Sequence, residues 1–162
     1  MIRLKEDGWK IFECYTRNLL CEKPTLYDCK VCNYKAANEE YHNLLLGCNA
    51  SALVADIVSA AKKTRNTLFY SVNRSYPLID AIYQDDQDAF HAFQVTVGLT
   101  HDADETLIAN LEKDVGLENN LSLYYLVPSD NFAQFKTKPV YPTKDRTKGN
   151  VWKVLIPNPN YK

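Results

Sequence analysis

The sequence predicts an α/β domain whose elements run helix, three strands, helix, strand. Three observations predict it: an apolar helical face, three short runs rich in aromatic and β-branched residues, and a second helical stretch before a strongly apolar strand. The 162 residues, 46% apolar and 24% charged, are enough for one domain with a hydrophobic core. We predict that residues 1–48 elaborate this domain and that residues 49–162 form its core, with a basic C-terminal excursion.

The first helix of the core is predicted to begin after Asn49 or Ser51, either of which can cap it. Apolar side chains in residues 53–61 follow at spacings of three and four and form one face. Within the N-terminal elaboration, a further helix is predicted over residues 38–46. The remainder of that elaboration shows scattered aromatics, cysteines and charges and predicts no further element.

Three strands are predicted over residues 67–72, 78–83 and 89–97. A short polar link, residues 84–88, joins the last two and predicts an antiparallel hairpin. The aspartates of this link lack the glycine and ligand spacing of an EF-hand, so we interpret them as a solvated hairpin tip.

The elements after the hairpin are a second helix, an apolar strand, a short helical turn and a last strand, predicted over residues 102–115, 121–127, 131–135 and 151–157. Gly116 ends the second helix because glycine accepts the left-handed conformation of a helix terminus. Pro128 ends the apolar strand.

Two of the predicted strands carry polar side chains where burial is expected. Gln94 and Thr96 share one face of the third strand because side chains alternate, and Asp80 lies in the second. Burying a carboxylate or carboxamide costs several kcal/mol without a partner. These residues therefore hold a metal or substrate, or they serve the fold, Asp80 as a strand-end cap and the other two as a hydrogen-bonded pair that fixes the register.

The helix and strand order, with an acid on the second strand and a polar pair on the third, resembles the core of the PD-(D/E)XK nuclease superfamily. This resemblance implies a restriction-endonuclease-like αβββαβ core with a mixed central sheet flanked by helices. It also implies that Asp80 and Gln94 hold a divalent metal such as Mg²⁺ and that Thr96 occupies the position of the family's lysine. Because threonine supplies no positive charge, His101 is the nearby candidate acid or base.

Related nucleases often require a further carboxylate from an early helix. Glu40 and Asp56 are the candidates for that position in this chain. The alternative for each is an ordinary solvated acid on a helix surface.

A more specific likeness involves residues 93–96, His101, the strand that runs into Val127 and Pro128, and residues 132–135. Together they resemble the C-terminal nuclease-like module of Crinkler effectors and of retrotransposon hot spot proteins, over roughly residues 50–157. The resemblance implies a secreted effector of oomycetes or fungi, or a kinetoplastid relative, that works in a host nucleus and binds or cleaves DNA. Relatives often carry a trafficking header and a P-loop ATPase.

This chain contains neither a P-loop motif nor the apolar core of a signal peptide, and no apolar run approaches the roughly 20 residues of a membrane span. We therefore expect a fragment, a stand-alone module or a divergent member. Three functions stay open: a metal-dependent nuclease that binds nucleic acid, a catalytically inactive effector domain that engages a host protein, and an unrelated α/β domain.

The net charge of −1 is unevenly distributed. Acidic side chains dominate residues 80–118, whereas basic ones dominate residues 130–162. This asymmetry allows a phosphate-binding surface near the C-terminus. The basic side chains that we expect to contact nucleic acid are Lys136, Lys138, Lys144, Arg146 and Lys148. The alternative is a solvated lysine-rich loop.

The five cysteines all lie in the first third of the chain. Their odd number, in a domain large enough to fold without cross-links, predicts reduced and mostly structural thiols. Cys29 and Cys32 have the spacing of half a zinc site, but the sequence holds no second Cys-x-x-Cys.

Overall fold

The computed structural model describes residues 8–32, 41–71, 76, 78–100, 105–116, 120–136 and 151–157. Within them the helices are α1 (Gly8–Glu22), α2 (Ile57–Lys63), α3 (Glu105–Val115) and α4 (Ser129–Phe132). The strands are β1 (Thr25–Val31), β2 (His42–Leu46), β3 (Ala50–Leu53), β4 (Thr67–Tyr70), β5 (Ala81–Gln84), β6 (Phe90–Val95), β7 (Leu121–Pro128) and β8 (Val151–Ile156).

All of these strands belong to one mixed sheet, in the order β2-β1-β8-β7-β6-β5-β4-β3. Strands β4, β5 and β6 are antiparallel neighbours, whereas β6, β7 and β8 run parallel to one another. The predicted α/β class and the β5-β6 hairpin are thereby confirmed. In chain order, α2, β4, β5, β6, α3 and β7 follow the predicted order of helix, three strands, helix and strand.

Helices cover the two faces of the sheet and form two hydrophobic cores. On one face, Phe12 and Leu20 of α1 pack with strand residues such as Phe93. On the other face, α2, α3 and α4 contribute side chains that include Ile57 and Ile108. Alternation along β6 and β7 supplies both cores, because successive side chains point to opposite faces of a strand.

The sheet curls around α1. Strands β2 and β3 lie at opposite edges of the sheet, yet only residues 47–49 separate them in the chain. Four residue steps span at most about 14 Å, so the two edges are held near each other. Because α1 packs against β3, β4 and β6, it occupies the concave face that this curl produces.

The link between β2 and β3 is fixed to the C-terminal end of α1. The Cys48 N–H donates to the Leu20 carbonyl oxygen at 2.7 Å, and the Gly47 N–H donates to the Tyr83 hydroxyl at 3.2 Å. Gly47 has a φ of +120°, and a Cβ atom there would lie 2.8 Å from the Leu20 oxygen. A side chain at this position is therefore excluded by both the backbone conformation and the space.

Two sequence predictions in the first part of the chain are wrong. The helix expected over residues 38–46 is, in its described part, the edge strand β2, which pairs antiparallel with β1. Leu45 is exposed and Leu46 is buried, as strand alternation requires. Residues before 41 in that prediction lie outside the described residues.

The first helix of the core also begins later than predicted. Residues 50–53 form β3, which pairs parallel with β4, and α2 starts only at Ile57. Its cap is Asp56, whose side chain accepts a hydrogen bond from the Ser59 N–H at 3.0 Å. The candidate carboxylate Asp56 thus serves the helix terminus.

We predict that Gly47→Ala lowers the free energy of unfolding by roughly 1–3 kcal/mol, because alanine must adopt a disfavoured φ and press on the Leu20 carbonyl. Gly98→Ala is the matched control, since its nearest contact would be an ordinary 3.4 Å, and it should change stability by no more than about 0.5 kcal/mol. Urea unfolding measures both. Equal effects of the two substitutions would contradict the proposed close approach.

Candidate functional site

An open cleft of about 240 Å³ lies where β6 ends. Its lining residues are Trp9, Glu13, Asp80, Gln94, Val95, Thr96, Val97 and Gly98. Three of the residues that the sequence singles out, Asp80, Gln94 and Thr96, therefore border the same cleft. They reach it from two neighbouring chain segments, the start of β5 and the end of β6.

Asp80 ends the pairing between β5 and β6. It directly precedes β5, and its N–H donates to the Phe93 carbonyl oxygen at 2.7 Å. Its Oδ2 atom accepts a hydrogen bond from the Val95 N–H at 2.7 Å. This carboxylate oxygen takes the role that the backbone carbonyl of a further strand residue would have in the pairing. The strand-end role that the sequence left open is therefore present, in a half-buried carboxylate that also borders the cleft.

Gln94 and Thr96 hold the neighbouring part of the cleft wall. The Gln94 Nε2 makes a long 3.5 Å hydrogen bond to the Val95 carbonyl oxygen. The Thr96 N–H donates to the Leu126 carbonyl oxygen at 3.1 Å, which extends the contact between β6 and β7 by one residue. Among the described residues, no hydrogen bond joins the two side chains, so they do not form the register-fixing pair considered from the sequence.

Two further lining residues, Trp9 and Glu13, lie in a segment where the sequence predicts no helix. They lie four residues apart on α1 and so share one face of it. The sequence signal for α1 is a spacing of four residues between side chains that share one face of the helix. In the structure this stripe is buried and includes Phe12, Thr16 and Leu20. Glu13 is thus a carboxylate from an early helix that borders the cleft. Of the two early carboxylates that the sequence offered, Glu40 lies outside the described residues and Asp56 caps α2.

Two cations flank Glu13 along α1. The Lys10 ammonium lies 5.6 Å from the centre of the Trp9 ring, and the Arg17 guanidinium lies 4.2 Å from the centre of the Tyr70 ring. Arg17 lines a small pocket that also touches Glu13 and Asp80, next to the cleft. The carboxylates are thus accompanied by positive charge on the same helix.

Of the predicted nucleic-acid contacts, Lys136 is described. Its side chain is exposed, and its N–H donates to the Leu99 carbonyl oxygen at 2.9 Å, just beyond Gly98 in the cleft wall. The other predicted site residues, His101, Lys138, Lys144, Arg146 and Lys148, lie outside the described residues.

Burial sets the charge state of three of the five cysteines. All five are free thiols. Burial raises the pKa of Cys29 to about 12, that of Cys48 to about 12 and that of Cys32 to about 11, so these thiols stay protonated near neutral pH. Within the described residues, no three His, Cys, Asp or Glu side chains form a metal-binding group.

A second polar cluster joins the hairpin to β7. With His91 neutral, its Nε2–H donates to Asp85 Oδ2 at 2.8 Å, and its Nδ1 accepts from the Tyr124 hydroxyl at 2.9 Å. The His91 ring stacks on Tyr83, with 4.7 Å between the ring centres. Tyr124 is only 3% exposed, so the hydroxyl that anchors this cluster belongs to a residue packed in the interior of the fold.

Burial and hydrogen bonding set the charge states of this cluster. Burial lowers the pKa of His91 below its usual value, although the hydrogen bond to Asp85 opposes that shift. Burial alone would raise the pKa of Asp85, but hydrogen bonds with His91 and with the Ala89 and Gln87 N–H groups lower it overall. His91 is therefore neutral and Asp85 ionised at neutral pH.

Asp86 and Asp88 at the hairpin tip are exposed, as predicted. They also bind the link between α2 and β4, because Asn66 donates to Asp86 and Arg65 forms an ion pair with Asp88. The tip therefore joins two neighbouring connections of the sheet, and Asp85 belongs to the buried cluster described above.

Comparisons of the chain with protein-family models, with curated proteins and with solved structures found no match. None of the helices in the described residues is long and apolar enough to cross a membrane.

We predict that Asp80→Ala lowers the free energy of unfolding by about 1–3 kcal/mol, because the Val95 N–H loses its acceptor. Asp80→Asn should cost less, since the amide oxygen still accepts. The control is Asp28→Ala on the exposed side of β1, expected to stay within about 0.5 kcal/mol. Denaturant unfolding of the three variants tests this role, which would be refuted if alanine and asparagine at position 80 were equally stable.

We also predict that acidification destabilises the protein through His91. Below pH 6.5 an unfolded histidine binds a proton that the folded His91 resists, so the free energy of unfolding falls as the pH decreases from 7.5 to 5.5. The lowered pKa of Asp85 makes stability depend on pH only below the usual value of 3.8, which lies outside the range from 7.5 to 5.5. Urea unfolding at both pH values should show a smaller loss for His91→Gln than for the wild type. An unchanged loss in His91→Gln would contradict the assignment.

Proposed function

We propose that this protein is a nuclease-fold module that binds nucleic acid and hydrolyses phosphodiester bonds with the help of a divalent metal ion. The observation that carries the proposal is the cleft at the end of β6, which Glu13, Asp80, Gln94 and Thr96 all border. The resemblance to PD-(D/E)XK nucleases implies Asp80 and Gln94 as metal ligands. Glu13 adds a second carboxylate from a distant part of the chain.

The donor set of this cleft fits Mg²⁺. Two carboxylates and one carboxamide offer oxygen ligands, which hard divalent cations prefer, and none of the described residues that line the cleft is a cysteine or a histidine. Glu13, Asp80 and Gln94 would hold the ion, which when bound would neutralise charge that develops on a phosphate during hydrolysis. Because the cleft is open, a phosphate group on the surface of a nucleic acid can approach it.

The remaining residues bind and orient the substrate in this proposal. The Thr96 hydroxyl offers one hydrogen bond to a substrate oxygen but carries no positive charge. Lys10, Arg17 and Lys136 supply cations around the acidic cleft. We assign His101 as the acid or base, and we assign Lys138, Lys144, Arg146 and Lys148 to contacts with phosphates, as the sequence suggests.

The order of the elements from α2 to β7 supports a restriction-endonuclease-like core as part of the same proposal. With the resemblance to Crinkler modules, it favours DNA as the nucleic acid and a secreted effector that acts in a host nucleus. The fold alone does not select this function, because one architecture serves many activities. The residues that line the cleft therefore decide between nuclease activity and other functions of the same fold.

One observation favours a second candidate, a catalytically inactive nuclease-like domain that acts through a host protein partner. Leu26 on β1 and Leu45 on β2 are register partners, and they are 65% and 62% exposed. Two neighbouring exposed apolar side chains on the two strands at one edge of the sheet suit a protein contact better than a nucleic-acid contact. Thr96 in the lysine position points the same way.

We predict Mg²⁺- or Mn²⁺-dependent cleavage of DNA or RNA by the wild-type protein. Glu13→Gln and Asp80→Asn should each reduce the rate by roughly 100-fold or more, because each removes a charged ligand while preserving shape. Asp28→Asn, on the exposed side of β1, is the matched control and should retain full activity. A gel assay with fluorescent oligonucleotides, with urea unfolding to confirm the fold of each variant, provides the measurement.

Two results would count against this proposal. Cleavage that survives both Glu13→Gln and Asp80→Asn would remove the cleft from the reaction. A wild-type protein that binds DNA in a salt-sensitive way but does not cleave it would reduce the proposal to a binding module. If the wild-type protein neither cleaves nor binds nucleic acid, the protein-partner candidate remains.

A further inference from the structure

We propose that the cleft takes an unpaired nucleotide, with its base stacked on Trp9, so that the substrate class is single-stranded nucleic acid. This inference rests on the proposed nucleic-acid function and adds what the strand must look like. It begins from the aromatic residue of the cleft wall. Trp9 is half-buried on α1 and borders the same space as Gln94 and Thr96.

The size of the cleft suits one base. Sites for drug-sized ligands usually measure about 300–1,000 Å³, and this cleft measures about 240 Å³. Base faces inside a duplex are covered by their neighbours, so a base can stack on Trp9 only if it is unpaired or leaves the stack. A single strand meets this condition without the energy of base-pair opening.

Polar groups in the cleft have hydrogen-bonding capacity to spare. Thr96 is 8% exposed, and within the described residues its hydroxyl has no hydrogen-bond partner. The Gln94 amide, whose one hydrogen bond to a described residue is the long 3.5 Å contact, offers both a donor and an acceptor. Such a nearly buried hydroxyl and a loosely bound amide are suited to the edge of a base or to a sugar oxygen.

The charges along α1 indicate the path of the strand. Trp9, Glu13 and Arg17 follow at spacings of four residues, about 6 Å apart along the helix axis, and therefore lie on one face. The Lys10 ammonium lies over the Trp9 ring at 5.6 Å from its centre, and Arg17 lies at the other end of this row. Aromatic platforms accompanied by cations are the usual means of binding single strands.

Gly98 lines the cleft beside Thr96 and has no side chain that could project into it. A Cβ atom at Gly98 would lie 3.9 Å from the Thr96 hydroxyl oxygen and no closer than 3.4 Å to any described neighbour. A larger side chain there can therefore project into the cleft without displacing the backbone. Gly98→Val supplies a test that narrows the cleft and leaves Trp9 in place.

The experiment compares binding of a fluorescein-labelled 12-nucleotide oligothymidylate with binding of a 12-base-pair duplex, by anisotropy in Ca²⁺. Wild-type protein should prefer the single strand. Trp9→Ala should weaken single-strand binding by roughly 5- to 150-fold, the usual effect of losing one stacked base, and leave duplex binding unchanged. Trp9→Phe should retain most of the affinity, and Gly98→Val should reduce it.

Tryptophan fluorescence gives an independent readout, because the other tryptophan, Trp152, is only 7% exposed. Adding the oligothymidylate should quench the wild type but not Trp9→Phe. Tyr41→Ala, which removes an exposed aromatic ring elsewhere, is the control and should bind like the wild type.

The outcomes separate this inference from the proposed function. Equal affinities for single strand and duplex, both insensitive to Trp9→Ala, would overturn the inference while nucleic-acid binding stands. Trp9-dependent binding without metal-dependent cleavage would support the inference and refute hydrolysis. No binding of either probe would overturn both.

Discussion

The packing of α1 in the concave face of the curled sheet is the constraint on which the rest of the structure depends. The link between β2 and β3 closes against the end of α1, through the Leu20 carbonyl and the glycine at position 47. The buried stripe on α1 then fixes the rotation of the helix. That rotation brings Trp9 and Glu13 to the end of β6. Because α1 and β6 are far apart in the chain, no local sequence pattern predicts this arrangement.

The cleft exists because the pairing of β5 with β6 stops at Asp80. One carboxylate oxygen replaces a strand carbonyl as the acceptor for the Val95 N–H, and the chain continues past the end of β6 at Val95 to Gly98 in the cleft wall. The same residue therefore supports the strand end and borders the cleft. An isosteric change such as asparagine separates these roles, because it preserves the hydrogen bond and removes the charge.

The sequence predicted the elements whose patterns are local. Strands β4 to β7 are rich in aromatic and other apolar side chains, a short polar link joins β5 to β6, and Gly116 follows α3 with a φ of +102°. It did not predict β3, because residues 50–53 continue a helical spacing and become a strand only by pairing with β4. Asp80 and Gln94 stand out in the sequence as polar residues in strands that are expected to be buried, whereas Glu13 joins them only through the long-range packing of α1.

A crystal structure grown or soaked with Mn²⁺ tests the central claim most directly, because anomalous scattering locates the ion without reference to activity. The account predicts one strong anomalous peak in the cleft, with oxygen atoms of Glu13, Asp80 and Gln94 at about 2.0–2.3 Å from it. The account would be contradicted by an anomalous peak located elsewhere on the protein. It would also be contradicted if these three side chains turned away from each other and the cleft held no ion at millimolar Mn²⁺.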